Sequence, residues 1–461
     1  MRGSAKMLLD TNAFLTRYRS IFTDFDFDEQ LELDYNGKIY DLTDHEQLWE
    51  LTDQSVRNGD YPISKIANNI LAIYETKNKF IEYRHLPIII HMELSGRCNC
   101  ACMMCSHCYE KNDNAGYLSR EKFLELERFF PTCRMIMING YGEPLIYPNI
   151  REVLSVFEKY GVAILTTSNL QYLPEDALDL INRVFIRLNV SCDGARKETY
   201  ESIRRGASFE RFLENVKRLF EKCPDVQKFM SVVAMRQNIE EAVELVHFAR
   251  RLGFEEIRFG RLGSNALLEN DKDELIYYPN YASKMLEEAK RVGEEIGVRV
   301  ITPMILRNAS YDPVAAETER AALHRLPFFM GQDYYDDLRR RFLELKAKGE
   351  FEHHLYSMED AISCEGICHW VGYGFYINAS GKIRPCVEIP HNRAQEKLPD
   401  EAVDYNYEEL FRFRKSFVNG HVPKACMDCA FIMSNEVDCL KVNMEEYSKY
   451  FQDKVEEKNQ Q

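Results

Sequence analysis

The chain has 461 residues, of which 45% are hydrophobic and 29% are charged, and its formal net charge is −15. This composition is typical of a globular protein with more than one domain, and it excludes an intrinsically disordered chain. The acidic balance argues against broad binding to nucleic acid or to an anionic membrane. Because neither a signal-peptide pattern nor a run of 18 apolar residues is apparent, we expect a cytoplasmic protein with no membrane partner.

The small first unit is predicted to span residues 1–85 and to be α+β. Two alternating segments, LELDY and KIYDL, are joined by Asn36 and Gly37, a strong hairpin signal. Helical periodicity follows in residues 45–56 and 63–75. A hairpin followed by helices resembles the winged-helix modules with which some peptide-modifying enzymes bind a leader peptide as an added strand. A plain structural cap is the alternative.

From residue 86, strand and helix patterns alternate regularly, which indicates βαβ units and a parallel sheet. The six predicted strands lie in residues 86–93, 134–140, 162–168, 184–191, 228–235 and 255–260. Amphipathic helices are predicted in residues 119–130, 149–160, 207–220 and 239–253. Six repeats are fewer than the eight of a closed TIM barrel. We therefore predict the α/β class and an open, partial (β/α)6 TIM-like barrel over residues 86–303, with its site at the C-terminal ends of the strands.

A cysteine-rich loop follows the first predicted barrel strand. Cys98, Cys102 and Cys105 have the spacing C-x3-C-x2-C. A [4Fe–4S] cluster takes one thiolate per iron, so three cysteines would leave one iron open to a small molecule. A structural zinc loop is the alternative because five cysteines lie within residues 98–108, although closed zinc sites usually pair two C-x2-C units.

Two further motifs lie at predicted strand ends. Residues 140–144, GYGEP, follow the second strand, and residues 191–194, SCDG, end the fourth. Because the carboxyl ends of parallel strands meet at one edge, these motifs should lie beside the cysteine loop. Strand alternation directs Ser191 and Asp193 toward the lumen and Cys192 toward the helices, so Cys192 is expected in the core.

The remaining chain is predicted to add three features. Residues 276–297 are helical in pattern, and residues 298–301 have the pattern of a further strand. Residues 304–360, rich in aromatic and charged residues, are predicted to form an insertion or lid over the barrel mouth. Residues 361–461 contain a hairpin-like pair of segments around residues 378–381 and six of the 14 cysteines. In an unexported chain such clustering favours metal or redox chemistry over disulfides.

These motifs, in this order, resemble those of the radical S-adenosylmethionine (radical SAM) superfamily over about residues 86–260. The cysteine loop matches at Cys98, Cys102 and Cys105, which the resemblance implies hold a [4Fe–4S] cluster with an open iron. The family's Gly-Gly-Glu-Pro segment corresponds to Tyr141, Gly142, Glu143 and Pro144, with tyrosine in place of the first glycine. Its backbone is implied to receive the amino group of SAM. The other residues implied to contact SAM are Met104, Ser168, Asn169, Ser191, Asp193 and Arg204.

The C-terminal cysteines resemble those of the auxiliary-cluster domains called SPASM and twitch. The six cysteines are fewer than two complete clusters require, which implies one fully ligated auxiliary [4Fe–4S] cluster. Its implied ligands are Cys368, Cys386, Cys426 and Cys429, with Cys364 and Cys439 as alternates or parts of an incomplete second site. A zinc ribbon is the alternative.

The resemblance implies reductive cleavage of SAM to a 5′-deoxyadenosyl radical, which abstracts hydrogen from a substrate C–H bond, with flavodoxin or ferredoxin as electron donor. An auxiliary cluster favours net oxidation, and we expect a ribosomal peptide to be crosslinked or dehydrogenated. One alternative is a dehydrogenase or epimerase of a sugar, cyclitol or nucleoside. Another is a non-catalytic iron–sulfur or zinc protein. No catalytic side chain is identified from the sequence.

Overall fold

A computed structural model describes residues 6–18, 25–105, 107, 116–262, 273–275, 278–303, 312–325, 372–384, 414–415 and 417–419. In these residues the chain forms a three-stranded sheet near its N-terminus and a mostly parallel nine-stranded sheet. None of the described helices is long and apolar enough to cross a membrane.

The N-terminal unit contains the predicted hairpin and two predicted helices, together with a strand and a helix that the sequence did not indicate. Its elements are β1 (Met7–Leu9), α1 (Thr11–Tyr18), β2 (Leu31–Tyr35), β3 (Lys38–Asp41), α2 (His45–Arg57) and α3 (Tyr61–Lys77). Strand β2 pairs in parallel with β1 and antiparallel with β3. Asn36 and Gly37 both have positive φ, 55° and 80°, as the tight turn of a hairpin requires.

Helix α3 joins this unit to the barrel. The Lys65 ammonium, which is buried, donates to the backbone oxygens of Phe130, at 2.8 Å, and of Cys133. Ser64 Oγ donates to the Pro131 carbonyl at 2.6 Å. The apolar side chains of the unit also form one core with residues near the starts of barrel strands, namely Ile88, Ile89, Met135, Ala163, Leu165 and Ile186. The unit therefore covers the N-terminal end of the barrel, opposite the strand ends where the sequence motifs lie.

The six predicted barrel strands are confirmed, and neighbouring strands pair in parallel in sequence order. They are β4 (Ile89–Met92), β5 (Met135–Met137), β6 (Ala163–Ser168), β7 (Phe185–Ser191), β8 (Gln227–Ala234) and β9 (Glu256–Arg261). The helices around them are α4 (Arg120–Leu126), α5 (Ile150–Tyr160), α6 (Leu178–Val184), α7 (Lys197–Ile203), α8 (Phe209–Lys222), α9 (Ala242–Leu252) and α10 (Pro279–Ile296). Alternate strand residues such as Ile136, Ile164 and Leu188 pack in the core that the helices cover.

Three more strands extend the sheet at its edges. Strand β10 (Arg299–Ile301) pairs in parallel with β9, where a further strand was predicted. Strands β11 (Gly374–Ile377) and β12 (Ile383–Arg384) form the predicted hairpin. The sequence did not indicate that β11 also pairs in parallel with β4, the first barrel strand.

A helix within the predicted insertion packs on the outside of the barrel. Helix α11 (Pro313–Arg325) lies against α10, where Glu319 accepts hydrogen bonds from Asn280 Nδ2 at 2.9 Å and from the backbone N–H of Tyr281 at 2.8 Å. The rest of the predicted lid, residues 304–311 and 326–360, lies outside the described residues.

Glu75, near the C-terminal end of α3, has a fully buried carboxylate. It contacts His45 Nε2 at 2.8 Å and His85 Nδ1 at 2.5 Å, and it accepts a hydrogen bond from the backbone N–H of Arg84 at 2.9 Å. Burial opposes ionisation, but the hydrogen bonds with His85, His45 and Arg84 prevail and lower the pKa of Glu75 to about 2. The ionised carboxylate therefore stabilises the fold at neutral pH.

We expect Glu75→Gln to reduce the free energy of unfolding by about 3 kcal/mol at pH 7. Since the folded pKa lies below the unfolded value of about 4.5, this stabilisation is complete above pH 4.5 and is lost as the pH falls toward 2. Denaturant unfolding of the apoprotein across pH 3 to 7 measures the difference. The exposed Glu152, paired with Arg120, supplies the control, and Glu152→Gln should change stability by less than about 1 kcal/mol. A Glu75→Gln deficit that does not shrink at acid pH would contradict this assignment.

Candidate active site

The cysteine loop after β4 is fixed by backbone hydrogen bonds at both of its ends. At the first end, the N–H of Gly96 donates to the Gly116 carbonyl at 2.9 Å. At the other, the N–H of Ala101 donates to the Arg205 carbonyl at 2.7 Å, and that of Met103 donates to the Ile203 carbonyl at 2.9 Å. The loop therefore lies along the chain that follows α7, at the C-terminal ends of the strands.

The GYGEP segment packs directly against the start of this loop. The backbone N–H of Glu143 donates to the Arg97 carbonyl at 2.8 Å. A Cβ atom on Gly142 would lie 2.1 Å from the Ser95 carbonyl oxygen and 2.4 Å from that of Arg97. Only glycine fits at such an approach of two backbones, so the close packing explains the residue type.

The carboxylate of Glu143 joins the ends of the second and third barrel strands. It accepts hydrogen bonds from Ser168 Oγ at 2.7 Å and from the backbone N–H of Asn169 at 2.8 Å. The Asn169 side chain in turn donates to Asn99 Oδ1 at 2.8 Å and lies 3.6 Å from Cys98 Sγ. Ser168, Asn169 and Glu143, all predicted as SAM contacts, thus form one buried network against the cysteine loop.

Asp193 and Arg204 form a buried ion pair at the other side of the loop. Arg204 Nη2 lies 2.7 Å from Asp193 Oδ2, and Asp193 Oδ1 accepts the backbone N–H of Val233 at 2.7 Å. Arg204 Nη1 lies 3.9 Å from Cys102 Sγ. These two predicted SAM contacts are therefore paired with each other beside a cysteine, and their contact with SAM stays a prediction.

The thiols of the loop differ in their pKa values. The hydrogen bond from Cys100 lowers the pKa of Cys98, and together with the nearby Arg204 guanidinium it lowers that of Cys102 to about 7. The same contacts, with Cys102 and with Cys98, raise the pKa of Cys100. The thiolate is the form of cysteine that binds metals.

The donor chemistry of the loop fits an iron–sulfur cluster. Cys98, Cys102 and Cys105 are three sulfur donors in one short loop, and the two thiols with lowered pKa favour the thiolate. Cys105 is half-buried, and its backbone N–H donates to the Cys102 carbonyl at 3.1 Å. Within the described part of the chain, no group of three or more histidine, cysteine, aspartate or glutamate side chains is placed to hold a metal ion. Cluster ligation by these three cysteines therefore stays a prediction.

The other residues named from the sequence fall into three groups. Ser191 ends β7 and is 9% exposed, whereas Cys192, predicted to be core, is fully buried among apolar residues. Met104 packs against the small apolar cluster of Ile203, Met235 and Leu262. The C-terminal cysteines lie outside the described residues: Cys364, Cys368, Cys386, Cys426, Cys429 and Cys439.

Sequence reasoning missed two polar residues of this site. Asn99 lies between two of the loop cysteines and binds Asn169, and Glu93 follows β4 with only 1% of its surface exposed. The one available signal was for Glu93, a carboxylate at the end of the otherwise apolar segment LPIIIHM. A carboxylate in such a segment must find partners when it is buried.

The site lies within a recognised family region. Residues 92–249 match the Radical SAM superfamily. The chain is similar to the AdoMet-dependent heme synthase of Methanosarcina barkeri, with 24% identity over 246 residues, which cover 48% of this chain and 70% of that protein. It is also similar to the mycofactocin maturase MftC of Mycolicibacterium smegmatis, with 27% identity over 172 residues, which cover 36% of this chain and 43% of that protein. The match thus spans less than half of the maturase's length.

The fold is similar to that of SuiB from Streptococcus suis. The structure of SuiB bound to S-adenosylmethionine has a TM-score of 0.51 and 14% identity, and the likeness covers 89% of this chain and 94% of that one. SuiB bound to precursor peptide SuiA gives a TM-score of 0.50 at 13% identity, covering 81% and 86%. At these identities the likeness concerns the fold alone.

The matched region contains all three loop cysteines, the GYGEP segment and the SCDG segment. Enzymes of this family use a [4Fe–4S] cluster and SAM, which the donor chemistry of the loop fits. The order of the motifs along the chain and their meeting at one end of the barrel agree with the family match. Residues 92–249 therefore form a region of the radical SAM superfamily.

Proposed function

We propose that this enzyme oxidatively modifies a ribosomal peptide, by forming a crosslink or by dehydrogenating a residue. The observation that carries the proposal is the β3 edge of the N-terminal sheet, which pairs with no further strand among the described residues. The unit that bears this edge shares a core with the barrel. The names of two relatives support it, since MftC is a maturase and SuiB is known bound to a precursor peptide.

The proposed binding edge for the peptide leader is strand β3. In the hairpin, the N–H of Leu42 donates to the Leu31 carbonyl, and the register places Leu33 opposite Tyr40. Along a strand of an antiparallel pair, the backbone N–H and C=O groups of successive residues point alternately toward and away from the partner strand. Those of Leu42 and Tyr40 point toward β2, so those of Ile39 point away from it. The Ile39 side chain is also 52% exposed. An added peptide strand would bond to this backbone and cover the apolar side chain.

The chemistry is assigned to the rim of the barrel. Cys98, Cys102 and Cys105 would hold the [4Fe–4S] cluster, and the backbone of residues 141–144 would receive the amino group of SAM. When bound, these two cofactors supply a 5′-deoxyadenosyl radical that takes a hydrogen atom from a substrate C–H bond. The buried network of Glu143, Ser168 and Asn169 keeps this rim rigid, which the precise placement of a reacting bond requires.

A second cluster is part of the proposal. Net oxidation of a peptide releases two electrons and two protons, of which the radical removes one electron and one proton as a hydrogen atom. A base or water must take the second proton, and a one-electron acceptor must take the other electron. Such an acceptor would be an auxiliary [4Fe–4S] cluster, whose proposed ligands are Cys368, Cys386, Cys426 and Cys429. Anaerobic reconstitution should then give about eight iron atoms per chain rather than about four. A flavodoxin or ferredoxin is the proposed reductant of the first cluster.

The leader hypothesis predicts that Ile39→Pro weakens binding of a full-length precursor peptide encoded beside this chain's gene. Proline removes the outward N–H of residue 39, and we expect the KM for the peptide to rise about tenfold or more, equal to about 1.4 kcal/mol. SAM cleavage without peptide should not change. Ile39→Thr, which keeps the N–H, is the matched control. Equal turnover of peptides with and without the leader would refute leader recognition.

A small-molecule substrate is the second candidate. It is favoured by the similarity to the AdoMet-dependent heme synthase, which covers 70% of that protein. In this case a sugar, cyclitol, nucleoside or similar compound would be dehydrogenated or epimerised, and the peptide would change neither the rate nor the products. Turnover assays with the precursor peptide and with such compounds separate the two candidates.

A further inference from the structure

Glu93 occupies the junction of three parts of the molecule. It directly follows β4, and its backbone N–H donates to the Ile377 carbonyl of β11 at 2.8 Å. Its carboxylate accepts hydrogen bonds from the backbone N–H of Tyr141, from Tyr376 O–H at 3.2 Å and from the backbone N–H of Ala379 at 3.1 Å. One buried side chain therefore joins the GYGEP segment to the β11–β12 hairpin.

The packing around this carboxylate leaves little freedom on either side. A Cβ atom on Gly140 would lie 2.5 Å from Glu93 Oε1, so the GYGEP segment lies directly against the carboxylate. On the hairpin side, the His91 ring meets the Tyr376 ring edge-on with centroids 5.2 Å apart, and His91 Nε2 contacts the Asn139 carbonyl. The carboxylate of Glu93 therefore lies in direct contact with both the hairpin and the GYGEP segment.

The hydrogen-bonding partners explain why residue 93 is a carboxylate. The backbone N–H groups of Tyr141 and Ala379 and the O–H of Tyr376 are all donors, and an ionised carboxylate offers only acceptors, so these contacts are satisfied. Hydrogen bonds to a charged group are stronger than neutral ones, and a buried donor that loses its acceptor is costly. Glutamine is nearly the same size as glutamate but would turn an N–H₂ group toward at least one donor.

We infer that Glu93 is a positioning residue for SAM. It holds the Tyr141 backbone in a fixed position relative to the β11–β12 hairpin. The backbone beside this contact is the segment assigned to the amino group of SAM. Through Glu93, the hairpin sets the geometry of the SAM site. The inference concerns SAM alone and holds for a peptide or a small-molecule substrate.

The test is reductive SAM cleavage by the reconstituted holoenzyme with dithionite and no substrate. We expect Glu93→Gln to raise the KM for SAM about tenfold, the equivalent of one charge-assisted hydrogen bond. Tyr376→Phe, which removes only one O–H on the hairpin, should raise the same KM about threefold. Because both changes act through one carboxylate, the double variant should be no worse than Glu93→Gln alone.

A matched control separates positioning from general stability. Glu75→Gln also removes a buried carboxylate, but at the N-terminal end of the barrel, so it should lower stability and leave the KM for SAM unchanged. The SAM-dependent change in the electron paramagnetic resonance signal of the reduced cluster should need more SAM in Glu93→Gln and Tyr376→Phe. An unchanged KM for SAM in Tyr376→Phe, or effects of the two changes that multiply in the double variant, would overturn the inference.

Discussion

Replacing Cys98 with alanine is expected to reduce reductive SAM cleavage by a factor on the order of 10³ or more, equal to about 4 kcal/mol of barrier. Each iron of a [4Fe–4S] cluster needs its own ligand, and the short loop holds three cysteines at the family spacing. The loss should be seen as missing 5′-deoxyadenosine and as reduced iron content after anaerobic reconstitution. Chromatography with mass detection and an iron assay measure the two quantities.

Cys100→Ala is the control for this change. Cys100 lies in the same loop, is buried to a similar degree as Cys102, and is not one of the three predicted ligands. It should keep both the iron and the cleavage activity. If Cys100→Ala lost cleavage while Cys98→Ala kept it, the assignment of the three ligands would be wrong.

Gly142→Ala is expected to lower SAM cleavage by on the order of 10²-fold, the effect of displacing a binding group by about 1 Å. The added Cβ would lie 2.1 Å and 2.4 Å from the backbone oxygens of Ser95 and Arg97, and neither can move without the loop. Because the displaced backbone is the one assigned to SAM, the KM for SAM should rise. Steady-state cleavage kinetics and SAM binding by calorimetry measure the change.

Gly116→Ala tests whether any added methyl group near the loop would do the same. Gly116 accepts a hydrogen bond from Gly96 of the loop, but a Cβ on it would meet no described atom within 4 Å. This variant should keep normal cleavage. Equal losses in the two variants would show that the close approach at Gly142 is not what matters.

The barrel could be predicted from the sequence because its signals are local. Each strand and its helix carry their own periodicity, as in residues 228–235 followed by 239–253, and neighbours in sequence pair in space. The short helices α6 and α7 were nonetheless missed, because seven residues contain too few turns to show a helical period. The hairpin at Asn36 and Gly37 was predicted because its turn needs positive φ, which these residue types adopt.

The long-range pairings could not be predicted. Strand β11 pairs with β4 across nearly 300 residues of chain, and the sequence of a four-residue strand does not indicate which strand it pairs with. Similarly, the sequence did not indicate that Lys65 donates a hydrogen bond to the Phe130 carbonyl, or that apolar side chains of α3 share a core with residues near the strand starts. Such contacts depend on how the surfaces of two elements fit together, and hydrophobic periodicity within one element gives no information about that fit.

The motifs of the site could be predicted from the sequence, but the contacts between its side chains could not. Glycines, cysteines and the SCDG segment mark the rim because their residue types are unusual at strand ends. The pairing of Asp193 with Arg204 and the three bonds to Glu93 depend on side chains that meet from distant segments. Glu93 therefore became apparent only from its burial and its partners.

Hydrogen abstraction from a peptide is tested most directly by following deuterium from a labelled peptide into the products. The reconstituted enzyme would be incubated anaerobically with SAM, a reductant and the leader-bearing precursor peptide, deuterated in its core residues. We predict 5′-deoxyadenosine that carries one deuterium, together with a peptide whose product shows the net loss of two hydrogen isotopes. Undeuterated 5′-deoxyadenosine with an unchanged peptide would contradict the proposal that a peptide is the substrate.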